Sequence, residues 1–155
     1  MTNRAHSNPR LLQFFQFVRY CIVGVLNTAV TMGVIYICKS FLGMNLYVSN
    51  LLGYAAGIAN SFICNRSWVF ASNGHPGREL LRFLAGAAAC YILQLWVVWM
   101  LTESPLGEFN YLIYGIVISG YGIATILGNV VYTLAFFVYN RLVTFADKEA
   151  ELDEQ

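Results

Sequence analysis

The chain has 155 residues, of which 58% are hydrophobic and only 11% charged, with a formal net charge of +1. So few polar side chains cannot cover a soluble globule of this length, which excludes an ordinary water-soluble domain. The charges are also clustered, leaving uncharged runs at 20–38, 40–65, 83–102 and 109–140. Each run holds the roughly 20 apolar residues that an α-helix needs to cross a bilayer. The expected fold class is therefore an all-α integral membrane protein with four transmembrane helices, near 20–38, 46–65, 83–101 and 111–139.

Residues 1–19 are polar and basic. They read as a cytoplasmic segment and not as a cleavable signal, because the apolar run that follows is long and a second comes soon after. The first helix carries Asn27, Thr28 and Thr31, and Lys39 follows it. In the second helix Asn50, Gly53, Gly57, Asn60 and Cys64 recur every three or four residues, which places them on one face. Gly53 and Gly57 form a G-x-x-x-G pair that permits close backbone approach, so this face is a candidate homodimer contact. The segment 71–82 is a loop with a flexible turn at Asn73-Gly74-His75-Pro76-Gly77. The third helix contains Gln94, and Ser104-Pro105-Leu106-Gly107 turns the chain back. The fourth repeats the small and polar pattern more weakly, with Gly122, Thr125 and Asn129 and with Gly128 beside them. The tail 146–155 is acidic.

Eight of the nine basic residues fall on one side of these spans: Arg4, Arg10, Arg19, Arg66, Arg78, Arg82, Arg141 and Lys148, against Lys39 alone. The positive-inside rule then puts both termini and the middle loop in the cytoplasm. Cys21, Cys38, Cys64 and Cys90 form no C-x-x-C pair and read as small apolar packing residues. Neither histidine has acidic or cysteine neighbours, so no metal site and no cofactor are expected.

One pattern occurs twice. Phe62-Ile63-Cys64-Asn65-Arg66-Ser67-Trp68-Val69-Phe70 and Phe137-Val138-Tyr139-Asn140-Arg141-Leu142-Val143-Thr144-Phe145 share Phe-x-x-Asn-Arg-x-x-x-Phe. The same shift sets Leu52-Gly53 on Leu127-Gly128, and Arg19-Tyr20 before helix one resembles Arg82-Phe83 before helix three. The chain thus divides into a first two-helix repeat at 20–70 and a second at 83–145, joined by 71–82. Two helices return the chain to its starting side, so the repeats are parallel and related by an axis along the membrane normal.

No Asp, Glu, Lys or Arg lies inside any predicted span, which argues against a proton-coupled carrier. No P-loop and no catalytic set can be assembled, so the chain does not read as an enzyme. Arg66 and Arg141 each follow an Asn at the end of an apolar run. A guanidinium grips phosphate oxygens through two parallel N–H bonds, with Asn65 or Asn140 filling a further position. Arg19 and Arg82 read first as headgroup anchors and complete this lipid-phosphate candidate set. Asn27, Thr31, Asn50, Gly53, Gly57, Asn60, Thr125 and Asn129 fit two descriptions equally, a helix interface and a polar seam for a sugar.

The start Phe17-x-Arg19-Tyr20-x-x-Val23-Gly24-x-x-Asn27-Thr28, the segment Asn60-Ser61-Phe62-x-x-Asn65-Arg66-x-Trp68-Val69-Phe70 and its second copy resemble the GtrA-like family over about residues 14–146. Ser61 and Phe136 stand where that family often has Asn, and Val143 stands where the first copy has Trp68. The resemblance implies small bacterial four-helix proteins that move an undecaprenyl-phosphate-linked sugar, typically glucose, across the cytoplasmic membrane. A membrane glycosyltransferase would then use that sugar on a cell-surface polysaccharide. The positions it implies are Arg19, Gly24, Asn27, Asn65, Arg66, Arg82, Asn140 and Arg141. The expected partners are the polyprenyl-phosphate-linked sugar, membrane lipid and that glycosyltransferase, with no nucleic acid. A non-transporting adaptor for the glycosyltransferase is the alternative, and a small-solute carrier the third reading.

Overall fold

A computed structural model describes residues 9–105, 110–113 and 116–146. The first eight residues, half of the expected turn at 104–107 and nearly all of the acidic tail lie outside that range. The chain divides into two units, the first ending at Asn73 and the second beginning at Gly74.

In the first unit, α1 (Pro9–Tyr36) runs into a π-helical turn, π1 (Ile37–Phe41), and α2 (Leu46–Cys64) runs into a second, π2 (Asn65–Val69). The Asn45 side chain caps α2 by accepting from the Tyr47 N–H at 2.8 Å. The second unit holds α3 (Pro76–Thr102), a short antiparallel hairpin of β1 (Asn110–Ile113) and β2 (Ile116–Ser119), α4 (Gly120–Tyr139), and a third π-helical turn, π3 (Asn140–Thr144). Tyr111 pairs with Ile118 in the hairpin.

Three helix ends differ from the charge-gap expectation. Both α1 and α3 start earlier, at Pro9 and Pro76, because a proline at the first helical position is compatible with the helix and two or three charges do not stop it. Arg19 and Arg82 therefore sit inside helices and not before them. The fourth helix begins at Gly120, not 111, because the β-branched run Ile116-Val117-Ile118 pairs as a strand. The Ser119 hydroxyl then caps α4, accepting from the Gly122 N–H at 3.1 Å.

Segments 11–41, 76–102 and 120–144 are long and apolar enough to cross a membrane. Only 11%, 11% and 22% of their most apolar windows are buried within the protein. A core helix of a water-soluble protein would bury its apolar side chains, so these outward-facing ones require a hydrocarbon surrounding. The helix α2 has 19 residues, and Ser49, Asn50, Asn60 and Ser61 interrupt its apolar run. The first span, 31 residues long, would extend about 45 Å, beyond a hydrocarbon core of about 30 Å.

Glycines set the helix contacts within each unit. A Cβ on Gly53 would strike Ile35 and come within 2.9 Å of the Thr31 carbonyl, and one on Gly57 would strike the Thr31 hydroxyl. The G-x-x-x-G face of α2 is therefore covered by α1 of the same chain, which corrects the expectation that it serves a homodimer. In the second unit a Cβ on Gly128 would meet Val98 at 2.6 Å, and one on Gly86 would strike the Tyr139 ring.

Candidate functional site

The repeated motif is a π-turn. In the first copy the Phe70 N–H donates to the Asn65 carbonyl, and in the second the Phe145 N–H donates to the Asn140 carbonyl, both at 2.9 Å. That i to i+5 bond spans the motif's own Asn-to-Phe interval, so the spacing serves the backbone as well as any ligand. Such turns widen a helix and occur frequently at functional sites. Both closing phenylalanines are buried, and so are both asparagines. Asn65 and Asn140 are 1% and 0% exposed. Arg66 and Arg141, one residue on, are half-buried.

The copies differ in how each asparagine is satisfied. The Asn65 Nδ2 donates to the Ser61 carbonyl at 2.8 Å and to the Ser61 hydroxyl at 3.2 Å. In the second copy Phe136 replaces Ser61 and packs instead, its ring 5.0 Å from Phe83 and 5.5 Å from Tyr132. Asn140 is then left with neither amide atom hydrogen-bonded, and the Thr144 hydroxyl, at the position of Val69, is also buried and unbonded.

Each unit brings an arginine from its first helix to the same motif position. The Arg19 guanidinium lies 5.8 Å from the Trp68 ring centroid. Arg82 donates from Nη1 to the Val143 carbonyl at 3.4 Å. Both positions come three residues after the motif asparagine. The four arginines thus belong to the two motifs, Arg19 with Arg66 and Arg82 with Arg141.

The polar seam separates into three groups. Asn27, Thr31, Gly53, Gly57 and Asn60 meet or lie within a turn of each other at the contact of α1 and α2, where Asn27 Oδ1 and Asn60 Nδ2 are buried without a bond. Gln94 Nε2 donates to Asn129 Oδ1 at 2.8 Å, joining α3 to α4 beside Gly128. Asn50 and Thr125 only donate back to their own helices, to the carbonyls of Leu46 and Tyr121 at 2.8 Å each. A groove of about 550 Å³ runs along the second unit, lined by Cys90, Leu134, Ala135, Val138, Tyr139, Leu142 and Val143. It ends at the residues that follow Arg141.

Sequence reasoning missed Glu79, which is fully buried in the first turn of α3. The signal was present: Glu79 is the first acidic residue of the chain and stands three before Arg82, as Gln16 stands three before Arg19. Gln16 donates from Nε2 to the Val69 carbonyl at 3.4 Å, so this place in the first unit also serves the motif. A negative side chain suits a helix N-terminus, where the backbone N–H groups carry partial positive charge.

The long outward-facing apolar helices define a helical membrane protein in which α2 and α4 each end in an Asn-Arg turn. A family model described as the GtrA/DPMS transmembrane domain matches residues 19–145. The chain belongs to that family. It is also similar to the Bacillus subtilis (strain 168) membrane protein YngA, 36% identical over 67 residues. That match covers 43% of this chain and 45% of YngA, so the chain spans less than half the length of that relative.

Proposed function

We propose that the protein translocates an undecaprenyl-phosphate-linked sugar across the bacterial cytoplasmic membrane, with both termini in the cytoplasm. The observation that carries this reading is the paired motif geometry: two π-turns, each with an Asn-Arg pair and each met by a second arginine. Guanidinium groups so arranged at the ends of apolar helices suit a phosphate at the headgroup level. The apolar groove beside Arg141 suits the first isoprene units of a lipid tail, and the unbonded Asn27 and Asn60 atoms suit sugar hydroxyls in transit. Beyond the first turns of α3 the spans carry no acidic side chain. Transport in this reading is downhill and non-catalytic, drawn by a glycosyltransferase that consumes the sugar on the far side.

Proteoliposomes loaded with labelled polyprenyl-phospho-glucose test it. The label should become accessible from the opposite leaflet only when the protein is present. Label that stays on its own leaflet sinks the translocase and leaves the adaptor, which instead predicts that Arg66→Ala and Arg141→Ala preserve glycosyltransferase recruitment.

A further inference from the structure

Besides Nε of Arg141, the second motif copy buries three polar atoms that hydrogen-bond to nothing in the chain: Nδ2 and Oδ1 of Asn140 and Oγ1 of Thr144. Both side chains are 0% exposed. Unbonded buried polar atoms are costly and uncommon, so three in one π-turn form a surface of defined polarity that calls for a matching ligand group. Their chemistry states what that group is. The amide Nδ2 donates, Oδ1 accepts, and the hydroxyl does both. A phosphate oxygen only accepts, so Oδ1 would repel it. A ligand hydroxyl donates and accepts, and two neighbouring hydroxyls of a sugar match the three atoms together.

The first copy cannot do this. Ser61 already occupies the Asn65 Nδ2, leaving Oδ1 as its one unbonded amide atom, and Val69 stands where Thr144 would be. We infer that Asn140 and Thr144 form a hydroxyl-recognising subsite for the sugar, beside a phosphate held at Arg141, and that the second unit alone carries it. The inference rests on the lipid-linked-sugar reading above and assigns recognition of its two chemical parts to different residues.

Titration of the full chain in phosphatidylcholine nanodiscs with two probes decides it: a polyprenyl-phospho-glucose and the same polyprenyl phosphate without sugar. The wild type should bind the sugar-bearing lipid more tightly. Thr144→Val, which copies Val69, should lose about tenfold in affinity for that lipid and keep its affinity for the bare one, about the worth of a lost hydrogen bond or two. Its thermal stability should hold or rise, because an apolar group of the same shape removes an unbonded hydroxyl. Asn140→Ala should shift the preference in the same direction, and where it fails to fold Thr144→Val decides alone. Equal affinity of the wild type for both lipids overturns the subsite and leaves the translocase standing. So does a Thr144→Val variant that keeps the preference or weakens both lipids alike. Failure of the wild type to bind either lipid overturns the reading and the subsite together.

Discussion

The Arg19 guanidinium stands 5.8 Å from the centroid of the Trp68 ring, tying the first third of α1 to the turn that ends α2. Because Trp68 is 44% exposed, the contact lies at a partly solvated site, where such pairs contribute about 0.5–1 kcal/mol. Arg19→Ala and Trp68→Ala should each lower the unfolding midpoint in detergent. The double variant should be less destabilised than the sum of the two, by that coupling. Strict additivity would show that the ring and the guanidinium do not interact.

Ala71 has φ +47°, directly after π2, and Ser72 closes the turn by donating to the Arg66 carbonyl at 2.8 Å. The equivalent place after π1 is Gly43 at φ +60°, with Met44 donating to the Cys38 carbonyl at 3.0 Å. An L-residue in this region costs about 1–2 kcal/mol, part of which glycine gives back in unfolded-chain entropy. Ala71→Gly should therefore stabilise the protein by about 0.5–1 kcal/mol, read as a rise in midpoint.

The Gln94–Asn129 bond joins α3 to α4 at 2.8 Å. Removing either amide alone leaves the other without its partner, whereas replacing both with leucine removes the problem. The coupling from a double-variant cycle should be about 0.6 kcal/mol, within the range for interhelical bonds in membranes. A coupling of zero would mean that Gly128 packing alone holds this contact.

Gly57 lies against the Thr31 hydroxyl with no room for a methyl group. Gly57→Ala should cost about 1–3 kcal/mol through overpacking. Adding Thr31→Ala should recover part of that loss, since it removes the atom in the way. Thermal unfolding of the two variants checks this, and an unchanged Gly57→Ala midpoint would contradict the packing.

In the leaflet-accessibility measurement, Arg141→Ala should reduce translocation more than Arg66→Ala. The reason is the asymmetry of the asparagines: Asn65 Nδ2 is bonded to Ser61, while neither amide atom of Asn140 nor the Thr144 hydroxyl is bonded. Equal losses would show that both turns share the work.

Several of these features were legible in the order of residues, and others were not. The repeated motif announced two equivalent structures, and both copies do form the same turn, because Asn and the closing Phe stand five apart, the interval of a π-type bond. What the repeat concealed was the inward direction of the asparagine side chains. Charge gaps located the apolar segments but misplaced three helix ends, since a charge marks a change of polarity and not the end of backbone hydrogen bonding. The burial of Glu79 was missed for the same reason, as it was assigned to a loop.

By itself the amino-acid order determined the membrane class, the duplicated turn and the small-residue face of α2. Each of these depends on composition or on near neighbours in the chain. Tertiary structure decided what lies against them. A helical period names a face but not its partner, and the partner of Gly53 and Gly57 proved to be Thr31 and Ile35 of the same chain and not a second copy. It also decided that the Asn65 amide is bonded through Nδ2 alone and the Asn140 amide through neither atom, because that depends on how each side chain meets the turn before it.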